Sequence, residues 1–488
     1  MTEAIWQEER LLIDGKLVPA QDRRKFPNIN PATEEILGMT SDASHADMAS
    51  AIDAARRAFD STSWSTDLQL RLQSLRQLES ALQDHADQLR NTMVAEVGCT
   101  IIGTHTQVDA PISGIHWPLQ FAEQYDWEHD LGAAVTFGIH SRRYVRREPI
   151  GVVGAITPWN FPLQINLAKL IPALVSGCTV VLKAAPDTPW TATLLGQLVT
   201  QYTDLPPGVL NIVTSADHAI GQQLVEDPRV DMISFTGSTV TGSHIMVKGA
   251  PTLKKLFLEL GGKSANIVLE DANIEAAAQM SVSHVTSHAG QGCAILSRLV
   301  LPRSHYKAGV EAVVEALKNV AYGDPTDPAN AFGPLIRAQQ RERVLDYIQQ
   351  GVSDGAALAL GGGRPRHLPR GYYVEPTVLI NVEPDAVVAQ EEIFGPVLVV
   401  LSHDGDDDAV AIANDSRYGL SGAVFSGDIE RARNVANQVR TGTMSLNGGI
   451  WYGSDVPFGG YKHSGTGREN GQAGFEEYLE TKSIAEPV

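Results

Sequence analysis

Five short apolar runs follow one another between Gly151 and Leu260: Val152-Val153-Gly154-Ala155-Ile156, Thr179-Val180-Val181-Leu182, Val209-Leu210-Asn211-Ile212-Val213, Met232-Ile233-Ser234-Phe235 and Leu256-Phe257-Leu258-Glu259-Leu260. None alternates apolar with polar residues, so none suits a sheet with one wet face. A strand that is apolar on both faces belongs in a parallel sheet covered on both sides. Helix-length segments at 163–176, 188–202, 216–226 and 239–249 separate the runs. This alternation predicts a doubly wound βαβ unit with its ligand site beyond the carboxyl ends of the strands.

The remaining chain is too long for one core, and 488 residues suggest two or three domains. Residues 5–40 hold short strand-like pieces around Asp14-Gly15 and Asn30-Pro31. Three- and four-residue apolar spacing predicts amphipathic helix over 46–59 and over 68–97, where Leu68, Leu72, Leu75, Leu78 and Leu82 share a face. Cys99, just past Gly98, is expected in the same core. Residues 131–149 read as a strand pair whose Arg142, Arg143, Arg146 and Arg147 suit either an edge covered by a partner chain or a solvated hairpin. Beyond residue 261 a second αβ region is expected, with helices near 273–287, 305–318 and 338–351 and strands at 296–301 and 396–402. The stretch from Asn447 to Gly465 is rich in glycine and aromatics, as functional loops often are.

Composition excludes several classes. With 38 basic and 57 acidic side chains the net charge is −19, which disfavours nucleic acid or an anionic membrane as partner. Cys99, Cys178 and Cys293 are odd in number and far apart, fitting neither a disulfide framework nor a zinc site, and no metal is expected. Met1–Arg10 lacks the apolar segment of a secretory signal, and no apolar run approaches the ~20 residues of a membrane span. The expected compartment is a reducing cytoplasm.

Cys293 lies in Ser287-His-Ala-Gly-Gln-Gly-Cys293-Ala-Ile-Leu-Ser-Arg298, where Gly290, Gly292 and Ala294 leave the thiol little steric cover. Taken alone it reads as an inert core thiol or as a nucleophile. Phe235-Thr-Gly237-Ser238 runs from a strand into a helix through small residues, and the unpaired N–H groups there favour a phosphate. It matches neither G-x-G-x-x-G nor a P-loop, and a glycine-rich helix start without a ligand explains it equally well.

Set beside Pro158-Trp159-Asn160-Phe161-Pro162, Lys183, Glu259-Leu-Gly-Gly-Lys263, Glu391-Glu392-Ile-Phe394-Gly-Pro396 and Pro457-Phe458-Gly-Gly-Tyr-Lys-His-Ser-Gly465, these segments resemble the NAD(P)-dependent aldehyde dehydrogenase superfamily over nearly the whole chain. The resemblance implies a Rossmann-like doubly wound cofactor domain (1–128 and 149–260), a second α/β catalytic domain (261–446), and a small β oligomerisation element with the C-terminal tail (129–148 and 447–488). Homodimers or homotetramers are expected. It further implies that Cys293 attacks the aldehyde and that the adduct gives up hydride to the nicotinamide, leaving a thioester. Such covalent chemistry supplies the alkoxide that a free aldehyde lacks.

By the same resemblance, Asn160 and the backbone N–H of Cys293 form the oxyanion hole, worth about 3 to 4 kcal/mol per donor. Glu259 activates the hydrolytic water, or else pairs with a cation such as Lys263. The cofactor is expected against Trp159, with Gly237 and Ser238 at the pyrophosphate, Lys183 at the adenosine ribose, Glu392 at the nicotinamide ribose and Phe394 at the nicotinamide. Where the family often has a glutamate three residues after the lysine, this chain has Pro186, with Asp187 one residue late. NAD is therefore expected with NADP possible. Phe161, Ile165, Trp451, Tyr452 and Phe458 are expected to line the substrate tunnel, Ser283 and Ser287 to leave room in it, and no arginine to face it. The expected substrate is an apolar or aromatic aldehyde, with a caged quaternary ammonium as the alternative. Rival readings are a CoA-acylating dehydrogenase, which the presence of Glu259 opposes, and a relative that has lost catalysis.

Overall fold

In the computed structural model, which describes residues 7–488, the chain opens with two hairpins. They are β1 (Leu11–Ile13) with β2 (Lys16–Val18), and β3 (Lys25–Ile29) with β4 (Ile36–Ser41). Residues 1–6, where the expected strand-like stretch begins and most of the polar N-terminal segment falls, lie outside the described residues. Helices α1 (His45–Ser61), α2 (Leu68–Asp84) and α3 (Ala86–Val97) follow. The single helix expected over 68–97 is two. His85, at φ −111 and ψ 17, ends one and begins the next. The turn redirects the chain while Leu72, Leu75, Leu78, Leu82, Leu89 and Met93 stay in one core, which also holds Cys99. Short helices α4 (Ala110–Gly114) and α5 (His116–Gln124) lead to a long hairpin, β5 (Glu128–Thr136) and β6 (Ile139–Pro149).

The alternating segment then folds as its pattern requires, through β7 (Val152–Ile156), α6 (Pro162–Ser176), β8 (Thr179–Lys183), α7 (Pro189–Tyr202), β9 (Leu210–Val213), α8 (His218–Glu226), β10 (Met232–Thr236), α9 (Thr239–Gly249) and β11 (Lys255–Glu259). The strands are parallel in the order β11-β10-β7-β8-β9, so the winding starts in the middle and reverses between β7 and β10. Successive residues enter opposite cores. Val153, Val180, Leu210 and Met232 pack on one face, and Val152, Val181, Val213 and Ile233 on the other. With both faces dry, no polar alternation is possible, which explains the sequence pattern. The register pairs Ile156 with Lys183 and with Phe235, and Thr236 with Glu259, so these strand ends form one edge at the reversal point. That is where an open parallel sheet binds ligands.

A second sheet is built from β12 (Ala265–Val268), β13 (Arg298–Pro302), β14 (Ala357–Leu360), β15 (Thr377–Ile380), β16 (Val397–His403), β17 (Gly422–Phe425) and β18 (Ser445–Leu446). Its helices include α10 (Ile274–Thr286), α11 (Tyr306–Lys318) and α12 (Ala338–Ser353). All its strand pairs are parallel except β14 with β15. The tail then returns to both earlier units: β19 (Gly465–Thr466) lies antiparallel on β11, and β20 (Leu479–Pro487) pairs with β6. β6 is therefore the middle of three strands. The edge of β6 is paired with the chain's own C-terminal strand, where Arg147 Nη1 donates to Thr481, and β5 and β20 are the outer strands of this sheet. No helix among the described residues is long and apolar enough to cross a membrane, and no group of three His, Cys, Asp or Glu among them is placed to hold a metal ion.

One buried carboxylate ties three of these elements together. Helix α7 begins with Pro189, and Thr188 supplies no side-chain cap, so the next N–H groups need acceptors from elsewhere. Glu96, near the end of α3, accepts from the N–H of Trp190 (3.0 Å), the N–H of Thr191 (2.7 Å), the Thr191 hydroxyl and Asn28 Nδ2 (2.8 Å). Burial pushes this carboxyl up to about 7, and the four donors pull against the rise. Glu96→Gln turns an acceptor oxygen into an amine facing donors. It should cost about 1–3 kcal/mol and lower the thermal midpoint; an unchanged midpoint would contradict this account of the α7 start.

Candidate active site

Helix α10 aims its end at the thiol, but the chain must turn sharply to bring Cys293 round. His288 (φ 47, ψ 42), Ala289 (φ 54, ψ 34) and Gly290 (φ 72) are consecutively left-handed. For the two non-glycine residues this is strained backbone of the kind that packing must hold in place. A Cβ on Gly290 would collide with the carbonyl of Gly395, in the Phe394 segment. A Cβ on Gly262 would collide with the carbonyl of Cys293. Gln291 braces the turn: its Nε2 donates to His288 O (3.1 Å), and its Oε1 accepts from Ile336 N (2.9 Å). Asn160 Nδ2 donates to Gln291 O at 2.9 Å, which sets that amide beside the nucleophile loop with one N–H still unspent. The N–H of Cys293 has no partner among the described residues.

Glu259, the last residue of β11, is 2% exposed. Burial pushes its carboxyl up to about 8. The Cys293 thiol beside it is raised well above the ordinary thiol range, first by burial and then by this neighbouring acid. Glu259 Oε1 is buried without a partner. The alternative pairing with Lys263 does not form, since Lys263 Nζ is buried and has no partner either.

A cavity of about 450 Å³ opens from Cys293 and Glu259 along the strand ends. Trp159, Asn160, Gly237, Ser238, Glu392 and Phe394 all stand on its wall. Ser238 caps α9 by accepting from Thr241 N (3.2 Å), so the unpaired donors of that helix start face the cavity edge. Glu392 Oε1 accepts from Gly262 N (2.9 Å), and burial raises its carboxyl to about 7. Trp159 and Phe394 meet edge to face at 5.5 Å. Lys183 is the exception: it ends β8 on the same edge but does not line the cavity. It is buried, its Nζ donates to Ser215 O (3.2 Å), and burial lowers its pKa to about 8. The start of α12 adds residues that the sequence did not single out. Gln340 Nε2 donates to Phe394 O (2.8 Å), holding Phe394 at φ 62, and Arg343 Nη2 donates to Glu392 O (2.9 Å). Arg337 pairs with Asp187 and lies over the Trp159 ring. Nothing in their spacing could have marked them, because they reach the site only through the packing of a helix from the second sheet.

A tunnel of about 330 Å³ leaves the opposite side of Cys293 and Glu259. All five expected residues, Phe161, Ile165, Trp451, Tyr452 and Phe458, line it, as do Ser283 and Ser287. Arg298 does not. It is buried, with Nε, Nη1 and Nη2 donating to the carbonyls of Lys263, Ile412 and Ala413. The sequence reading missed Gln164, His284 and Glu469 in the tunnel. The last is neutralised by Lys169, whose Nζ lies 3.0 Å away and is fully buried over Phe257. A larger outer cavity of about 600 Å³ continues the path past Trp117 and Phe475. The arrangement thus sets a thiol, a carboxyl with a free oxygen, and two unspent N–H donors where two cavities meet.

Residues 17–484 match the profile of the aldehyde dehydrogenase family. A 3-succinoylsemialdehyde-pyridine dehydrogenase from a Pseudomonas species is 42% identical over 476 residues, covering 97% of each chain. Two crystal structures of betaine aldehyde dehydrogenase from Staphylococcus aureus, each 34% identical, are similar with a TM-score of 0.95. The one in complex with NAD+ is matched over 98% of this chain and 94% of that one. The apo mutant is matched over 98% and 95%.

The electrostatics at Cys293 can be read without any substrate. Cys99 and Cys178 are buried and their thiols are also raised by burial, so iodoacetamide should label Cys293 alone. In the cofactor-free protein its alkylation should rise with pH through a midpoint above that of a free thiol, about 8.5. Glu259→Gln removes one of the groups raising it and should move the midpoint down. An unmoved midpoint would show that the carboxyl does not act on the thiol.

Proposed function

The chain belongs to the aldehyde dehydrogenase family, and from that premise we propose that it oxidises a neutral aldehyde with an apolar or aromatic body to the free acid, with NAD as hydride acceptor and Cys293 as nucleophile. The observation that carries this reading is the sharing of Cys293 and Glu259 by the 450 Å³ cavity and the 330 Å³ tunnel. A cofactor entering by one and an aldehyde by the other meet at the thiol.

In this reading the Cys293 thiol gives its proton up to solvent as the sulfur adds to the carbonyl carbon. The new oxyanion accepts from the second N–H of Asn160 Nδ2 and from the N–H of Cys293, donors fixed in advance by the Gln291 contact. NAD, when bound, supplies the acceptor for the hydride that leaves the adduct carbon. Glu259, through its unpartnered Oε1, then takes a proton from the water that attacks the Cys293 thioester and passes it to the departing sulfur, releasing the acid and the thiol. A carboxyl raised to about 8 can both take and return that proton near neutral pH. The unspent acceptor favours hydrolysis over transfer of the acyl group to coenzyme A.

The cavity fits a dinucleotide in three respects: a helix start for the pyrophosphate at Gly237 and Ser238, a carboxyl at Glu392 for ribose hydroxyls, and an aromatic wall of Trp159 and Phe394. Lys183 belongs at the adenosine end of the same strand edge. Asp187 is already paired with Arg337, and Pro186 carries no charge, so little there repels a 2′-phosphate and NADP remains usable. The division of labour follows: 1–128 with 149–260 for the cofactor, 261–446 for the nucleophile, and 129–148 with 447–488 for assembly. Leu131, Val135, Phe137 and Ile139 on the long hairpin are all at least half exposed, an uncovered apolar surface that supports a homodimer or homotetramer. Three free cysteines support a reducing, cytoplasmic setting.

The tunnel supports a neutral substrate. Glu469 is cancelled by Lys169, and no free cation faces a distal carboxylate among the described lining residues. A quaternary ammonium is disfavoured, because the Trp451 and Phe458 rings stack on each other at 5.5 Å and 9° and so cover one face each. Turnover of hexanal, benzaldehyde, succinic semialdehyde and betaine aldehyde should favour the first two and yield acid rather than acyl-CoA. Cys293→Ala should reduce it by at least about a thousandfold while NAD still binds. Substantial turnover by the alanine variant, or a preference for either charged aldehyde, would overturn the reading. Sedimentation of the same protein as a monomer would contradict the proposed assembly.

A further inference from the structure

The tunnel and the outer cavity share five side chains, Phe161, Gln164, His284, Ser287 and Tyr452, which form the neck between them. Inside the neck the wall is largely apolar, with Ile165, Ile295, Trp451 and Phe458. Outside it lie Pro111, Ile115, Trp117, Ile171 and Phe475. A polar, uncharged collar therefore sits between two apolar stretches.

Two donors in that collar have nothing to bond. The N–H of Leu296 donates to His284 Nδ1 at 3.4 Å, so Nδ1 is the lone-pair nitrogen and Nε2 carries the proton. Nε2 has no partner among the described residues. Burial lowers the pKa of this imidazole to about 4, so the ring stays neutral through the physiological range. Tyr452 Oη accepts from Gln164 Nε2 and donates to no partner among the described residues, so its hydroxyl hydrogen is left to donate. A hydrocarbon passing the neck strips water from both donors and returns nothing, an unfavourable exchange for buried polar groups.

We propose that the substrate carries, apart from its aldehyde, a second and unreacting carbonyl oxygen that lodges in this neck and accepts hydrogen bonds from His284 Nε2–H and Tyr452 Oη–H. A ketone oxygen has two lone pairs and answers both donors, whereas a ring nitrogen has one. A carboxylate would need a cation, and the lysine beside the tunnel is held by Glu469. The inference rests on the reading that the tunnel delivers an aldehyde to Cys293. It makes His284 and Tyr452 determinants of specificity.

The test compares matched pairs with the NAD-saturated enzyme: 4-phenylbutanal against 4-oxo-4-phenylbutanal, and 5-phenylpentanal against 5-oxo-5-phenylpentanal. In at least one pair kcat/KM should favour the ketone by about tenfold or more, the scale of one net neutral hydrogen bond. His284→Phe and Tyr452→Phe should each bring the ratio toward one, chiefly through KM. His284→Gln, whose side-chain amide restores an N–H, should recover part of it. If a phenylalanine variant fails to fold, the wild-type ratio and the glutamine variant still decide. A wild-type ratio near one in both pairs, or a ratio that neither variant lowers, overturns the inference and leaves aldehyde oxidation standing. Failure to oxidise any aldehyde would bring down the oxidation reading and this inference with it.

Discussion

The carbonyl of Cys293 occupies the space that a side chain at position 262 would fill, and the carbonyl of Gly395 does the same at position 290. These close approaches bring the nucleophile loop against the segment after β11 and against the segment carrying Glu392 and Phe394. Neither would survive a Cβ, so the thiol, Glu259 and the wall of the first cavity are held to one another through backbone rather than through adjustable side chains. Groups that react must be fixed to within a fraction of an ångström, and backbone contact is the stiffest means available. The left-handed turn at His288 and Ala289 is strained geometry maintained by this packing.

Burial does the electrostatic part. Glu259 and Lys183 are almost fully buried and Glu392 and His284 partly so, and in each the charged form is disfavoured. The consequence at the thiol is a Glu259 carboxyl that titrates near neutral pH and can both take and give a proton. The same desolvation, together with the neighbouring Glu259, raises the Cys293 thiol. A tunnel of low charge, with Glu469 and Lys169 cancelling, selects its substrate by shape and neutral hydrogen bonds.

The sequence made the first sheet legible because its strands are dry on both faces and of ordinary length, so each run from Val152 to Leu260 announced itself. Strands such as Ala265–Val268, Thr377–Ile380 and Gly422–Phe425 are only four residues long, and a run that short does not tell strand from helix by its apolar spacing. The break at His85 was invisible because the apolar spacing continues across it. Among site residues, Cys293, Glu259 and Asn160 could be singled out because each sits in a motif that carries the family resemblance. Gln340, Arg343 and His284 could not, since on a helix they look like any polar residue and gain their place only when the helix docks. Lys183 is a different case: its motif was visible, and its amine, which donates one bond to Ser215 O, stands on the same strand edge without lining the cavity. The pairing of β20 with β6 joins segments far apart in the chain, and no local pattern marks it.

The account turns on an acyl group carried by Cys293 and released by Glu259. The most direct measurement is a rapid-mixing experiment on Glu259→Gln with NAD and a good aldehyde, followed by mass analysis of the quenched protein. The amide cannot take a proton from water, so the expected result is a rapid burst of reduced NAD approaching one per active site, slow turnover thereafter, and the acyl mass on the peptide containing Cys293. A burst that disappears together with the acyl mass would show that Glu259 is needed before the adduct forms. Steady turnover at the wild-type rate with Cys293 unmodified would contradict the account outright.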